Sequence, residues 1–67
     1  MQLSARNQFK GTITEIKEGP VSTEVAINIR GVEVVSSITT GSAHALELKV
    51  GDEAIAVIKA SSVMIVK

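Results

Sequence analysis

The sequence predicts a mainly β fold, a small five-stranded barrel with a short helical link between its third and fourth strands. Val, Ile and Thr recur along the whole chain, and these β-branched residues suit the pleated, half-buried surface of a sheet. Apolar residues make up 45% of the chain, yet Phe9 is its one aromatic residue. Small aliphatic side chains must therefore form the core.

The chain has 67 residues, and a domain of this size buries only about 60% of its unfolded surface. Disulfides, a structural metal or oligomerisation usually supplement so small a core. The sequence has no Cys and a single His, which excludes the first two. We therefore expect one domain, residues 1–67, that associates with copies of itself.

The charge pattern argues against several partners. Lys plus Arg and Asp plus Glu number seven each, so no net field attracts nucleic acid or an anionic membrane. One aromatic residue is too few for a base-stacking platform. No segment is apolar enough to span a bilayer, and no signal-peptide pattern follows Met1. Together with the absence of Cys, this predicts a cytoplasmic protein without nucleic-acid or membrane partners.

The first strand is predicted at residues 9–13, where side chains alternate between two faces with a period of two. The next apolar residue is Ile16, so the phase slips there. Either Gly11 or the slip itself marks a bulge that curves the strand. A loop at residues 17–21, with its Gly-Pro pair, follows this strand.

The clearest alternation in the chain covers residues 21–29 and predicts the second strand. Gly31 follows and supplies the positive φ of a tight reversal. Residues 32–38 then return as the hairpin partner.

The short helical link is predicted at residues 39–46, and residues 50–52 are predicted to end it. Residues 53–60 are apolar at both phases, which indicates a strand covered by the core on one face and by a partner subunit on the other. Residues 61–62 interrupt this strand, and residues 63–67 are predicted as the fifth. This order is typical of an OB-type barrel, although a small SH3-like barrel remains possible. Candidate helix-capping side chains are Thr39, Thr40 and Ser42.

Catalysis is not indicated. A nucleophilic site needs a Ser or Cys beside a base that a third group orients. His44 lies in the predicted link without an acidic residue obviously associated with it, so we interpret it as a surface or packing residue. We predict neither an enzyme nor a cation site.

Two polar clusters lie at predicted strand boundaries, Ser-Ala-Arg-Asn at residues 4–7 and Lys-Ala-Ser-Ser at residues 59–62. Small residues let an anion approach backbone N–H groups closely, and hydroxyls with a Lys ammonium complete a shell of donors. Such a shell suits a fully deprotonated tetrahedral oxyanion. The same residues also suit a solvated strand entry and an ordinary bend, and spacing alone favours that simpler interpretation.

The segments SARNQFKGTITEIKEGPVSTEV and IKASSVMIVK resemble the molbindins, small cytoplasmic molybdate-binding proteins built from one Mop, or TOBE-type, domain. The resemblance covers essentially the whole chain. It implies an OB-like subunit that assembles as a hexamer, a trimer of dimers, and stores molybdate or tungstate between subunits without a cofactor. The chain length fits the free-standing protein rather than the same domain in a regulator or a transporter ATPase.

The resemblance also implies two classes of oxyanion site. In the first, backbone N–H groups and the Ser4 hydroxyl of one chain face Lys59, the main counter-charge, of a neighbouring chain. The second lies near a threefold axis, in a loop whose Pro20 has no N–H to donate. The first class comprises Ser4, Ala5, Arg6, Lys59, Ala60 and Ser61. The second comprises Glu18, Gly19, Val21 and Ser22.

Two other functions remain open from the sequence. One is a structural or interaction module, an OB-like oligomer whose polar clusters merely finish strands. The other is a sensor that signals to a separate protein when molybdate binds. Charge and shape do not rank molybdate against tungstate.

Overall fold

A computed structural model describes residues 5–67, which form four strands, one helix and a 3-10 turn. All paired strands are antiparallel, and the sheet order is β3-β2-β1-β4. The mainly β fold with a helical link between the third and fourth strands is confirmed. The strands are β1 (Asn7–Glu18), β2 (Ser22–Ile29), β3 (Val32–Thr39) and β4 (Glu53–Ile58), the helix α1 is Thr40–Ala45 and the turn is Ala60–Ser62.

The predicted fifth strand, residues 63–67, is wrong for the single subunit. Val63 has extended dihedral angles, φ −95° and ψ 126°, but this segment pairs with no strand in the described part of the chain. Its apolar side chains lie in solvent, with Met64 93% and Val66 98% exposed. An extended segment becomes a strand only when a neighbour accepts its hydrogen bonds, and here it does not return to the sheet after the 3-10 turn.

The phase slip after Ile13 is a β-bulge. Of the two positions that the sequence suggested for a bulge, Gly11 and the slip itself, the slip is the one observed. The β1–β2 register passes from Ile13↔Ile27 to Glu15↔Ala26. Ile13 instead bonds the loop before β4: its N–H donates to the Asp52 carbonyl at 2.9 Å, and its carbonyl accepts from the Gly51 N–H at 2.8 Å. The β1–β4 ladder ends at Thr12, just before the bulge, whereas the β1–β2 ladder begins at Thr12 and continues past the bulge to Glu18.

Gly11 marks a close approach of two backbones and not the bulge. A Cβ at this position would overlap the carbonyl oxygen of Asn28 and lie 2.7 Å from an Ile27 side-chain carbon. Backbone and buried side chains leave no room, so only glycine fits here.

The β2–β3 hairpin closes through a two-residue turn. Ile29 pairs with Val32, and both turn residues have positive φ, 52° at Arg30 and 87° at Gly31. These angles match the twist of the two strands, as in a type I′ turn. The Gly31 N–H also donates to Asn28 Oδ1 at 3.1 Å. The predicted reversal at Gly31 is confirmed.

Helix α1 begins after Thr39, whose Oγ1 accepts from the Ser42 N–H at 3.0 Å. Thr39 is thus the cap among the three candidates. The following loop is closed at Lys49, whose N–H donates to Asp52 Oδ2 at 3.0 Å. No helix within residues 5–67 is long and apolar enough to cross a membrane.

The core is small and covers only one face of β4. Ile13, Val25 and Ile27 are buried at its centre. Along β4, exposure alternates, and Ile55 remains 59% and Val57 45% exposed. The expected core contact is present, and the second face of β4 is open in the subunit. The partly buried apolar residues around the core are Ile16, Ile29, Ile38, Leu48, Ala54 and Ala56.

We expect Gly11→Ala to destabilise the protein by about 1–3 kcal/mol, because the added methyl group overpacks a rigid contact. Gly41→Ala is the matched control, since a Cβ at Gly41 meets nothing within 4 Å, and alanine favours a helix. Urea unfolding at one protein concentration measures both. Equal midpoints for the two variants would contradict the close approach.

Candidate functional site

The two polar clusters lie at one end of the same sheet. Asn7 and Ile58 form the last pair of the β1–β4 ladder, and Asn7 Nδ2 donates to the Ile58 carbonyl at 3.1 Å. The residues before Asn7 and after Ile58 therefore leave the sheet from adjacent points. Predicted site residue Ser4 lies outside the described residues. The others of this class are Ala5 and Arg6 on one side and Lys59, Ala60 and Ser61 on the other.

The 3-10 turn at Ala60–Ser62 sets the donors of the second cluster. The Ser62 N–H donates to the Lys59 carbonyl at 2.9 Å, and the Val63 N–H donates to the Ala60 carbonyl at 3.3 Å. The N–H groups that begin such a turn, those of Ala60 and Ser61, have no acceptor inside it. Lys59 makes no side-chain cap, since an ammonium offers only donors. All four residues are exposed, so these donors face solvent or a partner.

One carbonyl acceptor of the first cluster, that of Ala5, is occupied. Gln8 Nε2 donates to the Ala5 carbonyl at 2.9 Å. Ala5 is half-buried, whereas Arg6 is exposed. A carbonyl oxygen repels an anion, and this bond occupies the oxygen without consuming an N–H group.

Positive and negative residues are segregated along the chain, although the net charge is zero. The residues before Glu15 and after Glu53 contain four cations and no carboxylate side chain. The residues from Glu15 to Glu53 contain all seven carboxylates and three cations. Lys10 pairs with Glu53 at 3.1 Å, whereas Arg6 and Lys59 form no ion pair within residues 5–67. The end of the sheet that holds both clusters is therefore locally positive.

The second predicted site lies at the opposite end of β1, in the loop to β2. Twelve residues of β1 separate the two ends. The Gly19 N–H already donates to the Ser22 carbonyl at 3.0 Å, and Pro20 has no N–H. Val21 and Ser22, both exposed, are the loop residues whose N–H groups remain as candidate donors.

A buried pair of hydroxyls anchors this loop to α1. Thr40 Oγ1 donates to the Gly19 carbonyl at 2.6 Å and lies 2.8 Å from Thr23 Oγ1. Because the single Thr40 proton is used on Gly19, Thr23 donates to Thr40. The Thr40 N–H also donates to the Val21 carbonyl at 2.9 Å. Thr23 is fully buried, so these bonds hold the loop in one position.

His44 has an acidic partner that the sequence did not indicate. Its Nε2 lies 2.8 Å from Glu18 Oε1, and both side chains are more than half exposed. The pair joins α1 to the end of β1 across 26 positions of the chain, a contact that no local spacing reveals. His44 is a surface residue, as expected, but it is bound to a member of the second predicted site. Across the described ranges, no three acidic or His side chains converge as a cation site.

The family model described as "TOBE domain" matches residues 3–65. The molybdenum transport protein ModE of Herbaspirillum seropedicae is 49% identical over 98% of this chain and 25% of its own length. A probable molybdenum-pterin-binding protein of Haemophilus influenzae is 47% identical, over 97% of this chain and 96% of its own. The chain thus spans a quarter of ModE but nearly all of the shorter relative.

Solved structures share the fold closely. A molybdate-binding protein from Sporomusa ovata superposes with a TM-score of 0.96, covers all of both chains and is 34% identical. MopII from Clostridium pasteurianum gives a TM-score of 0.93 at 40% identity, over 98% of this chain and all of its own. The cytoplasmic molybdate-binding protein ModG, with molybdate bound, gives 0.85 at 46% identity, over 90% of this chain and 43% of its own.

We expect Thr40→Val to destabilise the protein by about 1–3 kcal/mol, because the Gly19 carbonyl and the buried Thr23 hydroxyl lose their partner. Thr12→Val, at an exposed position of β1, makes the same chemical change without this loss. Urea unfolding compares the two variants. A Thr40→Val midpoint equal to that of Thr12→Val would show that the hydroxyl pair does not hold the loop.

Proposed function

Because the chain belongs to the TOBE-domain family, among its molybdate-binding Mop members, we propose that it binds molybdate between subunits and stores it. The single observation that carries this proposal is that both polar clusters leave the sheet at the same end. That end is locally cationic and rich in backbone donors, and neither cluster contains a carboxylate. A shell of donors without acceptors matches an anion that carries no proton.

Molybdate is a dianion with four acceptor oxygens and no proton near neutral pH. Phosphate often carries one proton near neutral pH. That proton needs an acceptor such as a carboxylate, and neither cluster contains one. Tungstate has the same charge and nearly the same shape, so we propose that it binds at the same site. Sulfate is smaller, and a shell of donors sized for molybdate binds it more weakly. No cofactor and no catalytic step belong to this function.

In the proposed site, Lys59 supplies the counter-charge, and Ala60 and Ser61 supply N–H groups. Ala5 and Arg6 of a neighbouring subunit face them, with Arg6 contributing its main chain. The two clusters of one subunit leave the sheet side by side. When two subunits bring these ends together, each can therefore offer one cluster to the other. Ser4 would add its hydroxyl.

Self-association follows from the surface of the subunit. Its accessible area is 5544 Å², whereas a compact monomer of this mass exposes about 4000 Å². The excess, about 1500 Å², exceeds the roughly 800 Å² that one partner buries in a standard interface. We propose a hexamer, a trimer of dimers, in the cytoplasm, without nucleic-acid or membrane partners. Molybdate bound between subunits stabilises this assembly by mass action.

The loop between β1 and β2 is the proposed second site, near the threefold axis. Glu18 and Gly19 shape it, while Val21 and Ser22 donate their N–H groups. The carboxylate of Glu18 is bonded to His44, which keeps one acceptor occupied. The Thr23 and Thr40 hydroxyls hold the loop from beneath.

Titration calorimetry with molybdate, tungstate and sulfate tests the function. We expect heat from molybdate and tungstate, and weaker binding of sulfate. Native mass spectrometry of the same samples reads subunit number and bound oxyanion together. Absence of heat from molybdate, or equal affinity for sulfate, would refute the proposal.

Lys59→Ala should weaken molybdate binding roughly 10–100-fold, as expected for one charge-assisted hydrogen bond of about 1.5–3 kcal/mol. Lys49→Ala is the matched control, since it removes the same charge from a loop outside both sites. Calorimetry compares the two variants. If both variants bind molybdate like the parent protein, Lys59 is not the counter-charge, and the polar clusters serve only as the solvated ends of strands.

A further inference from the structure

The β2–β3 hairpin carries Arg30 to the end of the sheet where the polar clusters lie. Arg30 belongs to the part of the sequence that contains all seven carboxylates, residues 15–53. The β1–β2 ladder begins with the pair Thr12↔Asn28, and the same register continued by two residues reaches Arg30. Its backbone therefore lies beside the part of β1 that is about 10 Å from Asn7 along the strand. Both polar clusters leave the sheet next to Asn7.

A cavity of about 520 Å³ joins the hairpin turn to the start of β1, and no carboxylate lines it. Lys10 is paired with Glu53, whereas Arg30 is exposed and forms no ion pair within residues 5–67. Glu33 is the carboxylate nearest to Arg30 along the chain. Side chains alternate along β3, so Glu33 lies on the opposite face from Val32, which lines the cavity. The lining residues are Gln8, Phe9, Lys10, Ile29, Arg30 and Val32.

The turn itself does not favour an arginine at this position. Arg30 has a φ of 52°, and the first central residue of a type I′ turn is preferably Asn, Asp or Gly. Other residues are strained in this region because Cβ approaches the following carbonyl oxygen. Strain of this kind points to a role outside the turn. Compared with Asn, the arginine adds a positive charge on a long side chain.

We propose that Arg30 attracts the oxyanion to the first site through its positive potential, without contacting the bound ligand. This inference rests on the proposed function and adds a positioning residue to it. A dianion feels twice the attraction that a monoanion feels from the same charge. The Debye length is about 30 Å at 10 mM ionic strength and about 3 Å at 1 M. Over a distance of about 10 Å, Arg30 therefore strengthens binding in dilute salt, and concentrated salt removes its effect.

Calorimetry with molybdate at about 10 mM and about 500 mM ionic strength tests this role. We expect Arg30→Asn to weaken binding about threefold at the lower ionic strength, the effect of one charge on a dianion about 10 Å away in water. At the higher ionic strength it should bind like the parent protein. Lys49→Asn is the matched control, since it removes the same charge from an exposed loop outside both sites. Its affinity should change less than that of Arg30→Asn.

Urea unfolding of the same proteins separates an effect of charge from an effect on folding. Asn-Gly is the pair that a type I′ turn favours, so we expect Arg30→Asn to unfold at a higher urea concentration than the parent protein. A residue with a merely structural role would not combine weaker binding with a more stable fold. Arg30→Lys keeps the charge and should keep the parent affinity at both ionic strengths.

Three results would overturn the proposal. The first is equal affinity of Arg30→Asn and the parent protein at 10 mM ionic strength. The second is a loss of affinity that persists undiminished at 500 mM, which would indicate direct contact with the anion. The third is an equal loss in Arg30→Lys, because charge would then not be the property that matters.

The parent protein, titrated in the same series, distinguishes this inference from the proposed function. Absence of heat from molybdate in the parent refutes oxyanion binding, and the role of Arg30 with it. Heat in the parent, with unchanged affinity in Arg30→Asn, leaves oxyanion binding in place and refutes only the role of Arg30.

Discussion

The double pairing of β1 is the constraint on which the rest of the structure depends. One strand serves two ladders: residues 7–12 pair with β4, and residues from Thr12 to Glu18 pair with β2 on both sides of the bulge. The bulge leaves no backbone group of Ile13 unpaired, because its N–H and carbonyl form hydrogen bonds with the loop at Asp52 and Gly51. The start of β1 thereby meets the end of β4, where both polar clusters leave the sheet. The other end of β1 carries the loop to β2, far from the first site.

Local features of this fold could be predicted from the sequence because each depends on neighbouring residues. The phase slip near Ile16 reflects the bulge, Gly31 reflects a turn that needs positive φ, and Thr39 has the side chain that a helix start needs. The fifth strand was wrong for a related reason. Residues 63–67 have the pattern of a strand, but a pattern does not say which edge, or which subunit, supplies the partner.

The candidate site was predictable in its chemistry but not in its geometry. Residue types alone identify two clusters of donors. Their adjacency rests on the Asn7–Ile58 contact, which joins residues 51 positions apart. The Glu18–His44 pair and the buried Thr23–Thr40 hydroxyls are likewise long-range contacts. A family resemblance suggested some of these residues, since it carries the outcome of three-dimensional packing that spacing along one chain does not contain.

Ligand binding and assembly share the same few residues in the proposed protein. The 3-10 turn lies directly between Lys59, the proposed counter-charge, and residues 63–67, whose apolar side chains lie in solvent in the single subunit. An anion that holds this turn also fixes the direction in which the segment leaves, and a neighbouring subunit that covers the segment holds the turn ready for the anion. By linkage, each event strengthens the other by the same free energy. The proposed ligand site therefore lies beside apolar surface that self-association would cover.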